Sequence, residues 1–238
     1  MNTFKFHAIL FEHVQKWGSM AAKSEQTRQR VAETALRMFR EIGFEQTTMR
    51  AIAAEAGVSV GNAYYYFASK DELVQELYQQ IQSDHASLAA EALEGIHDLS
   101  GRLKATMHAG IDTMAPYHRF GAEFITTAIR PTSPTNPFNP ASSAARKAAQ
   151  QIFVSVVEGA TPAPPRRLRS ELPGLLWMAY MGVTLFWVYD TSKDQRRTRI
   201  LVDGIAPLVA RGVSLARIPG VGKILDDATG LARTLRTG

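Results

Sequence analysis

Apolar residues in this chain recur at steps of three and four, which is the period of an amphipathic helix. Val31, Ala35 and Phe39 show this spacing near the N-terminus, and several later segments repeat it. No two segments show the alternation that a pair of β-strands would need to satisfy its backbone. Proline-rich loops break the helical pattern at residues 130–140 (RPTSPTNPFNP) and 159–165 (GATPAPP). We therefore predict an all-α fold.

Capping residues divide the N-terminal part into short helices. Ser24 is a candidate N-cap for the first helix, and Gly43 is a candidate residue for its end. Thr47 or Thr48 can cap a second helix of about two turns, which Gly57 ends. A tight turn between two short helices predicts a helix-turn-helix unit, whose second helix is the one that enters the major groove.

The segment after this turn, residues 59–70 (SVGNAYYYFASK), carries no charge until its last residue. A β-strand here would stand alone between helices, so we interpret it as a short helix capped by Ser59. Ala63 and Phe67 then share the buried face of this helix. Ser69 and Glu72 match the capping-box pattern, which predicts that a long helix begins there.

The ordered set of signals in residues 47–73 (TTMRAIAAEAGVSVGNAYYYFASKDEL) closely resembles the DNA-binding domain of the TetR family of transcriptional regulators. The matching positions are Thr48, Ile52-Ala53, residues 56–59, Gly61, Tyr64, Tyr66-Phe67, Ser69-Lys70 and Leu73. The resemblance covers about residues 26–81 and implies a three-helix helix-turn-helix domain, followed by a larger helical domain for ligand binding and dimerisation. The expected boundaries are a poorly ordered extension over 1–22, the DNA-binding domain over 23–72, the effector domain over 73–216 and a tail over 217–238.

The resemblance assigns a role to each residue around the turn. Helix N-termini favour phosphate, while Asn can pair with adenine, Val can pack on a thymine methyl group, and Gly lets the backbone come close to DNA. Arg50 reaches either a base edge or a phosphate, and a solvated arginine remains the alternative. Each tyrosine either donates to a phosphate or simply packs, and Lys70 either meets a phosphate or decorates a helix end. The expected DNA contacts are Thr47, Thr48, Arg50, Ser59, Val60, Gly61, Asn62, Tyr64, Tyr65, Tyr66 and Lys70.

The resemblance also implies an effector cavity and a dimer interface in the later helices. The expected cavity residues are Met107, Ile111, Met114, Tyr117, His118, Phe120, Glu123, Phe124, Phe153, Trp177 and Met178. Apolar residues at helical spacing are more often plain core, so that interpretation stays open. The last two long helices would form a four-helix bundle with a second subunit. The expected interface residues are Leu175, Leu176, Tyr180, Val183, Phe186, Trp187, Ile200, Leu201, Ile205 and Leu208, with intrachain core as the alternative.

Composition is compatible with this interpretation but does not establish it. The net charge is +5, yet acidic residues balance the basic ones over residues 23–72, so the DNA-binding prediction rests on the motif. The chain has no cysteine, and the brief N-terminal apolar run is interrupted before a secretory signal could form, so we expect a cytoplasmic protein. The apolar run over residues 175–189 falls short of the roughly 20 residues of a membrane span and is expected to be a buried helix.

The sequence therefore predicts a ligand-responsive transcriptional regulator. We expect it to be a repressor that binds a palindromic operator as a homodimer and is released by a small, largely apolar effector. Two alternatives stay open: an all-helical enzyme with a metal or acid/base site built from scattered His and Glu residues, and a DNA-binding protein without an effector. The six histidines show no metal-site spacing, and no nucleophile motif or phosphate loop occurs, so we expect no cofactor and no metal.

Overall fold

The computed structural model describes residues 3–119, 121, 131–133 and 136–218, with side chains from residue 22 onward. Every regular element in these ranges is helical, as the spacing of apolar residues predicts. Besides three short 3₁₀ turns, the helices are α1 (Thr3–Ile42), α2 (Met49–Glu55), α3 (Val60–Tyr66), α4 (Lys70–Ala92), α5 (Leu99–Met114), α6 (Ser143–Glu158), α7 (Arg166–Arg169), α8 (Leu172–Tyr189) and α9 (Arg196–Leu215).

Helix α1 runs from Thr3 to Ile42, so Ser24 lies inside a helix and does not cap one as predicted. The described contacts divide the chain into compact units at Met1–Leu77 and Tyr78–Gly238, and this division falls within α4. The expected extension over residues 1–22 and the expected domain boundary at residue 72 stay predictions.

The first unit is built around one small core. The apolar face of α1 meets α2 and α3, and the first turns of α4 add further apolar residues. Phe67, the residue that ends α3, is almost fully buried, and Ala63 has no exposed surface. Both residues lie on the predicted inner face. The main core residues are Val31, Ala35, Phe39, Ile52, Ala53, Ala63, Phe67, Leu73 and Leu77.

The second unit is a helical domain with a single large core cluster. Helices α5 and α9 pack together, as do α6 and α8. Helix α8 is apolar on most of its surface, and half of its residues are buried in this core. It is also the one helix, among the described residues, that is long and apolar enough to cross a membrane; its burial fits the predicted core helix.

Asp190 fixes where α9 begins. Its carboxylate accepts hydrogen bonds from the backbone N–H and hydroxyl of Ser192 and from the same two groups of Thr198, at 2.6–3.0 Å. Burial raises the pKa of Asp190, but these four donors outweigh burial and hold the pKa well below its usual value of 3.8. Helix α9 begins at Arg196, directly after a 3₁₀ turn at Lys193–Gln195.

Arg102 satisfies backbone groups at the end of α6. Its guanidinium donates to the carbonyl oxygens of Val156 (3.1 Å), Ser155 (2.9 Å) and Ile96 (2.6 Å). The last carbonyls of a helix have no partner within it, and a cation there also interacts well with the helix dipole. A β-carbon at Gly159 would lie 2.3 Å from Nη2 of Arg102, so the capping geometry needs glycine at that position.

Candidate nucleic-acid interface and ligand site

The turn between α2 and α3 has the geometry of a helix-turn-helix unit. Thr48 caps α2 through a hydrogen bond from Ala51 N to its hydroxyl oxygen (3.1 Å). Gly57 has a φ of +66°, a conformation that residues with a β-carbon adopt only under strain. Ser59 then caps α3 by accepting from Asn62 N at 3.1 Å. The predicted caps at Thr48 and Ser59 are both present.

Helix α3 separates an anchoring face from an exposed face. Ser59, Gly61 and Asn62 are exposed at its first turn, and Val60 is also exposed, by 37%. A β-carbon at Gly61 would meet nothing within 4 Å, so the unit itself does not require glycine there. The uncharged first turn is therefore accessible to a partner.

Thr47 does not belong to this surface. Its side chain is fully buried, and its hydroxyl donates to the carbonyl oxygen of Gly43 at 2.7 Å. This corrects the prediction of a phosphate contact from Thr47. Thr48 and Arg50, by contrast, are exposed at the start of α2, so the predicted contacts from those two residues stay open to test.

The three tyrosines of α3 have different surroundings. Tyr64 is 51% exposed and Tyr65 is 78% exposed. Tyr66 is half-buried, with its hydroxyl 3.2 Å from the hydroxyl of Ser24 and its ring edge-on to Tyr65. Tyr64 and Tyr65 are therefore accessible for the predicted phosphate contacts. The hydroxyl of Tyr66, by contrast, already has a partner within the unit.

Lys70 also has partners within the unit. Its Nζ donates to the carbonyl oxygen of Phe44 at 2.8 Å and lies 4.1 Å from the centre of the Phe44 ring. A cation at this helix N-terminus opposes the helix dipole, which favours an anionic partner such as phosphate. The contacts with Phe44 also account for a lysine at this position, so a phosphate contact from Lys70 remains a prediction.

An ion pair and a capping box fix the position of the C-terminal end of α3. Arg28 on α1 forms two hydrogen bonds to Glu76 on α4, at 2.6 and 3.2 Å, and lies 4.9 Å above the Phe67 ring. Glu72 accepts from Ala68 N at 2.7 Å, while Glu72 N donates to Ser69 at 3.3 Å. These contacts hold the end of α3 against α1 and α4.

The predicted effector residues meet in the second unit. Met107, Ile111, Met114, Phe153 and Trp177 all belong to its buried cluster, and Met178 packs against that cluster. Tyr117 and His118 are half-buried, and His118 bonds through Nε2 to the carbonyl oxygen of Trp187 at 2.8 Å. The remaining predicted residues, Phe120, Glu123 and Phe124, lie outside the residues whose side chains the structure describes.

A buried polar seam, whose residues are not among the predicted effector residues, runs beside these apolar residues. We define it as Gln82, His85, Thr106, Gly110 and Tyr180. His85 bonds through Nε2 to the carbonyl oxygen of Thr106 at 2.9 Å, and its ring lies 5.3 Å from that of Tyr180. A β-carbon at Gly110 would lie 2.1 Å from the Tyr180 hydroxyl, so the close approach of these rings depends on glycine.

Burial sets the protonation of the seam. Burial lowers the pKa of His85, which outweighs the effect of its hydrogen bond to Thr106, and the imidazole is therefore neutral at pH 7. Burial also raises the pKa of Tyr180 above its usual value and that of nearby Tyr78 to about 12. A sequence signal was available: Tyr78, Gln82 and His85 recur at helical spacing on α4.

The predicted dimer residues fall into two groups. Leu176, Tyr180, Val183 and Trp187 are buried in the core of their own chain, which corrects their assignment to an interface. Leu175, Leu201 and Ile205 are half-buried. Exposed apolar residues remain on both helices: Phe186, Ile200 (59% exposed) and Leu208 (63% exposed) as predicted, with Leu185, Tyr189 and Leu215 in addition.

Among the described residues, no group of three or more His, Cys, Asp or Glu side chains is placed to hold a metal ion. Asp203 does form a small polar group with Lys104 (3.2 Å) and His108 (3.1 Å). These contacts lie on the surface and join α5 to α9.

Two family profiles match the chain. The profile for "Bacterial regulatory proteins, tetR family" matches residues 31–77, and the profile for "Tetracyclin repressor-like, C-terminal domain" matches residues 102–231. Among curated proteins, the chain is 34% identical to the HTH-type transcriptional regulator UidR of Escherichia coli over 79 residues, which are 33% of this chain and 40% of UidR. It is 39% identical to the HTH-type transcriptional regulator TtgR of Pseudomonas putida over 67 residues, which are 28% of this chain and 32% of TtgR. These matches therefore span less than half the length of either relative.

Solved structures share the fold over most of the chain. A TetR transcriptional regulator from Nitrosomonas europaea superposes with a TM-score of 0.58 at 22% identity, covering 77% of this chain and 97% of the other. Thermus thermophilus FadR, solved with lauroyl-CoA, gives a TM-score of 0.57 at 17% identity and covers 75% and 92%. Bacillus subtilis FadR, solved with stearoyl-CoA, gives 0.58 at 15% identity and covers 75% and 96%.

Proposed function

The chain belongs to the TetR family of bacterial regulatory proteins, and from that membership we propose that it is a ligand-responsive transcriptional repressor. It binds a palindromic operator as a homodimer in the cytoplasm, and a small, largely apolar effector releases it. The observation that carries the proposal is the structure of α3, which buries Ala63 and Phe67 while presenting an uncharged, exposed first turn. Such a turn is the part of a recognition helix that meets base edges.

The contacts divide by their chemistry. Asn62 and Val60 read bases, and Gly61 admits the sugar-phosphate backbone or a base edge close to the helix. Tyr64 and Tyr65 donate their solvent-facing hydroxyls to phosphates, and the N-terminus of α2 with Thr48 favours a further phosphate. Arg50 is exposed in the first turn of α2, from which it reaches either a base or a phosphate.

Dimerisation rests on the exposed apolar residues of α8 and α9. Leu185, Phe186, Ile200, Leu208 and Leu215 leave apolar surface on two adjacent helices, which is typical of an interface in a helical bundle. Two recognition helices must also be about 34 Å apart to enter successive major grooves on one face of DNA, and one chain supplies only one such helix.

The effector site lies in the core cluster of the second unit. Met107, Met114 and Phe153 provide an apolar, adaptable lining. Two proteins of the same fold were solved with acyl-CoA molecules, so this fold can hold a long apolar chain. Effector binding favours a state with a different separation of the recognition helices, and the difference in effector affinity between the two states sets the size of the shift.

A gel shift with a footprint on DNA flanking the protein's own gene tests the proposal. We expect protection of a palindromic site at moderate salt, and loss of protection when the matching metabolite from a panel is added. A protein that protects no specific site would contradict the regulator function. A protein that protects a site but responds to no compound would be a DNA-binding protein without an effector.

A further inference from the structure

A groove of about 510 Å³ opens on the surface of the second unit. One wall is α6, and the other is formed by α7 and the start of α8. The residues that line the groove are Gln150, Val154, Val157, Glu158, Ala163, Arg169, Ser170, Pro173 and Gly174. Gln150, Val154 and Val157 follow at steps of four and three, so they share one face of α6. The groove therefore runs along about two turns of that helix, or roughly 12 Å.

The groove combines apolar residues with opposite charges. Its buried and half-buried apolar residues are Val154, Val157, Pro173 and Gly174. Glu158 on α6 and Arg169 on α7 are exposed, and Nε of Arg169 donates to the carbonyl oxygen of Pro164 at 2.7 Å. Such a surface fits a segment with an apolar face bordered by charged residues, as an amphipathic helix has.

The chain that follows α9 is held beside this groove. Arg217 donates through Nη2 to the carbonyl oxygens of Ala163 at 2.8 Å and Pro162 at 3.4 Å, and Ala163 is itself a lining residue. Arg167 on α7 donates to the carbonyl oxygen of Ala216. The residues after 218 therefore continue from the rim of the groove.

The sequence over residues 221–235 (VGKILDDATGLARTL) has the pattern of an amphipathic helix. Its apolar residues, which we call the stripe, are Val221, Ile224, Leu225, Ala228, Leu231, Ala232 and Leu235. At 3.6 residues per turn these positions fall within an arc of about 120°. Asp227 borders the stripe on one side, and Lys223 lies one turn before it. A short helix of this kind gains most of its stability by packing its apolar face against a partner.

We propose that residues 221–235 form an amphipathic helix that docks in the groove of its own chain, with the stripe from Ile224 to Leu231 against α6. Asp227, at the edge of the stripe, pairs with Arg169. The segment of the same chain is favoured over a second copy, because Arg217 holds its start at the groove and a short tether gives an effective concentration of about millimolar. This docking does not depend on DNA or effector binding.

Disulfide formation between introduced cysteines tests the docking in the full-length chain, which has no cysteine of its own. Val154→Cys on α6 is combined with one cysteine in the C-terminal segment, and the rate of bond formation in a mild oxidant is followed on non-reducing gels. The stripe variants are Ile224→Cys, Ala228→Cys and Leu231→Cys, and the matched controls on the opposite side of the helix are Lys223→Cys and Gly230→Cys. Gln150→Cys, one turn earlier on the same face of α6, replaces Val154→Cys if that variant does not fold.

The rates should depend on the face of the helix. We expect the stripe variants to form an intrachain disulfide roughly tenfold faster than the controls, because docking brings only the stripe close to α6. Equal rates for the stripe and control positions would overturn the proposal. A disulfide-linked dimer in place of the intrachain bond would also overturn it, and would assign the groove to the segment of a second copy.

Charge reversal tests the pairing of Arg169 with Asp227. Arg169→Glu should slow formation of the stripe disulfides roughly 3- to 10-fold, and adding Asp227→Arg should restore the rate. Arg166→Glu is the matched control, since it makes the same change of charge at an exposed position of α7 that does not line the groove, and it should leave the rate unchanged. A slower rate that Asp227→Arg does not restore would show that Arg169 acts through its bond to Pro164, and would overturn the pairing.

Discussion

Replacing Gly61 by alanine separates the fold of α3 from its function. A β-carbon at this position meets nothing within 4 Å, and the backbone lies outside the left-handed region. Glycine within a helix is less stable than alanine by about 0.5–1 kcal/mol. Gly61 is the second residue of α3, so we take the lower value and expect the free energy of unfolding to rise by about 0.5 kcal/mol.

Operator binding should change in the opposite direction. If glycine is present so that DNA can approach the helix closely, the added methyl group overlaps with the partner. Overpacking by one methyl group is unfavourable by about 1–3 kcal/mol, and about 1.4 kcal/mol corresponds to a tenfold loss of affinity. We therefore expect Gly61→Ala to bind the operator roughly tenfold more weakly while being slightly more stable.

The assay combines urea unfolding with fluorescence anisotropy on the footprinted operator. Gly57→Ala is the matched control: with a φ of +66°, alanine there is strained, so the unfolding free energy should fall. Operator affinity of Gly61→Ala equal to or above that of the wild type would refute the close-approach argument. A loss of stability in Gly61→Ala would show that the folded protein does not accommodate a methyl group at this position.

The remaining predictions concern contacts, the acid response and assembly. Asn62→Ala should change the base preference at one operator position, and an equal loss of affinity for every DNA sequence would contradict its role. Lys70→Ala should weaken binding to all DNA sequences alike and lower the slope of log affinity against log salt concentration by about 1. Binding isotherms at several salt concentrations measure both effects. Asp190→Ala should lower the Tm at pH 7 by roughly 5 °C, because it removes a charged acceptor of four hydrogen bonds. Because the pKa of Asp190 is lowered in the folded state, its stabilisation is complete above about pH 5 and is lost as pH falls through 3.8 and below. The difference in Tm between Asp190→Ala and the wild type should therefore shrink at acid pH. A difference that stays constant with pH would contradict this role of Asp190. Leu208→Glu should shift the protein towards monomer in sedimentation without changing its helix content, and an unchanged dimer would place the interface elsewhere.

The sequence predicted the features that depend on local chemistry. The caps at Thr48 and Ser59, the glycine at the turn and the burial of Phe67 follow from the hydrogen-bonding and conformational preferences of single residues, and the structure has each of them. Patterns of this kind are local because the partner atoms lie within a few residues along the chain.

Features that depend on distant partners were not predictable in the same way. Lys70 was predicted to meet DNA at the surface, yet its Nζ donates to the carbonyl oxygen of Phe44, which lies 26 residues earlier and which only the fold brings near. Helix α8 is apolar nearly all round, so its sequence carries no periodic signal to separate Tyr180, which is buried, from Phe186, which is exposed. Its inner and outer faces are decided by packing against α6 and α9.

The separation of buried and exposed residues on α3 has a consequence for how such a regulator evolves. Ala63 and Phe67 tie this helix deeply into the core, while Val60, Gly61 and Asn62 face solvent at its first turn. If these three residues meet DNA as proposed, substitutions there should change which DNA sequence is preferred and leave folding almost unchanged. Descendants of a duplicated gene can acquire new target sites by drift at these positions, without first gaining compensating mutations elsewhere in the protein.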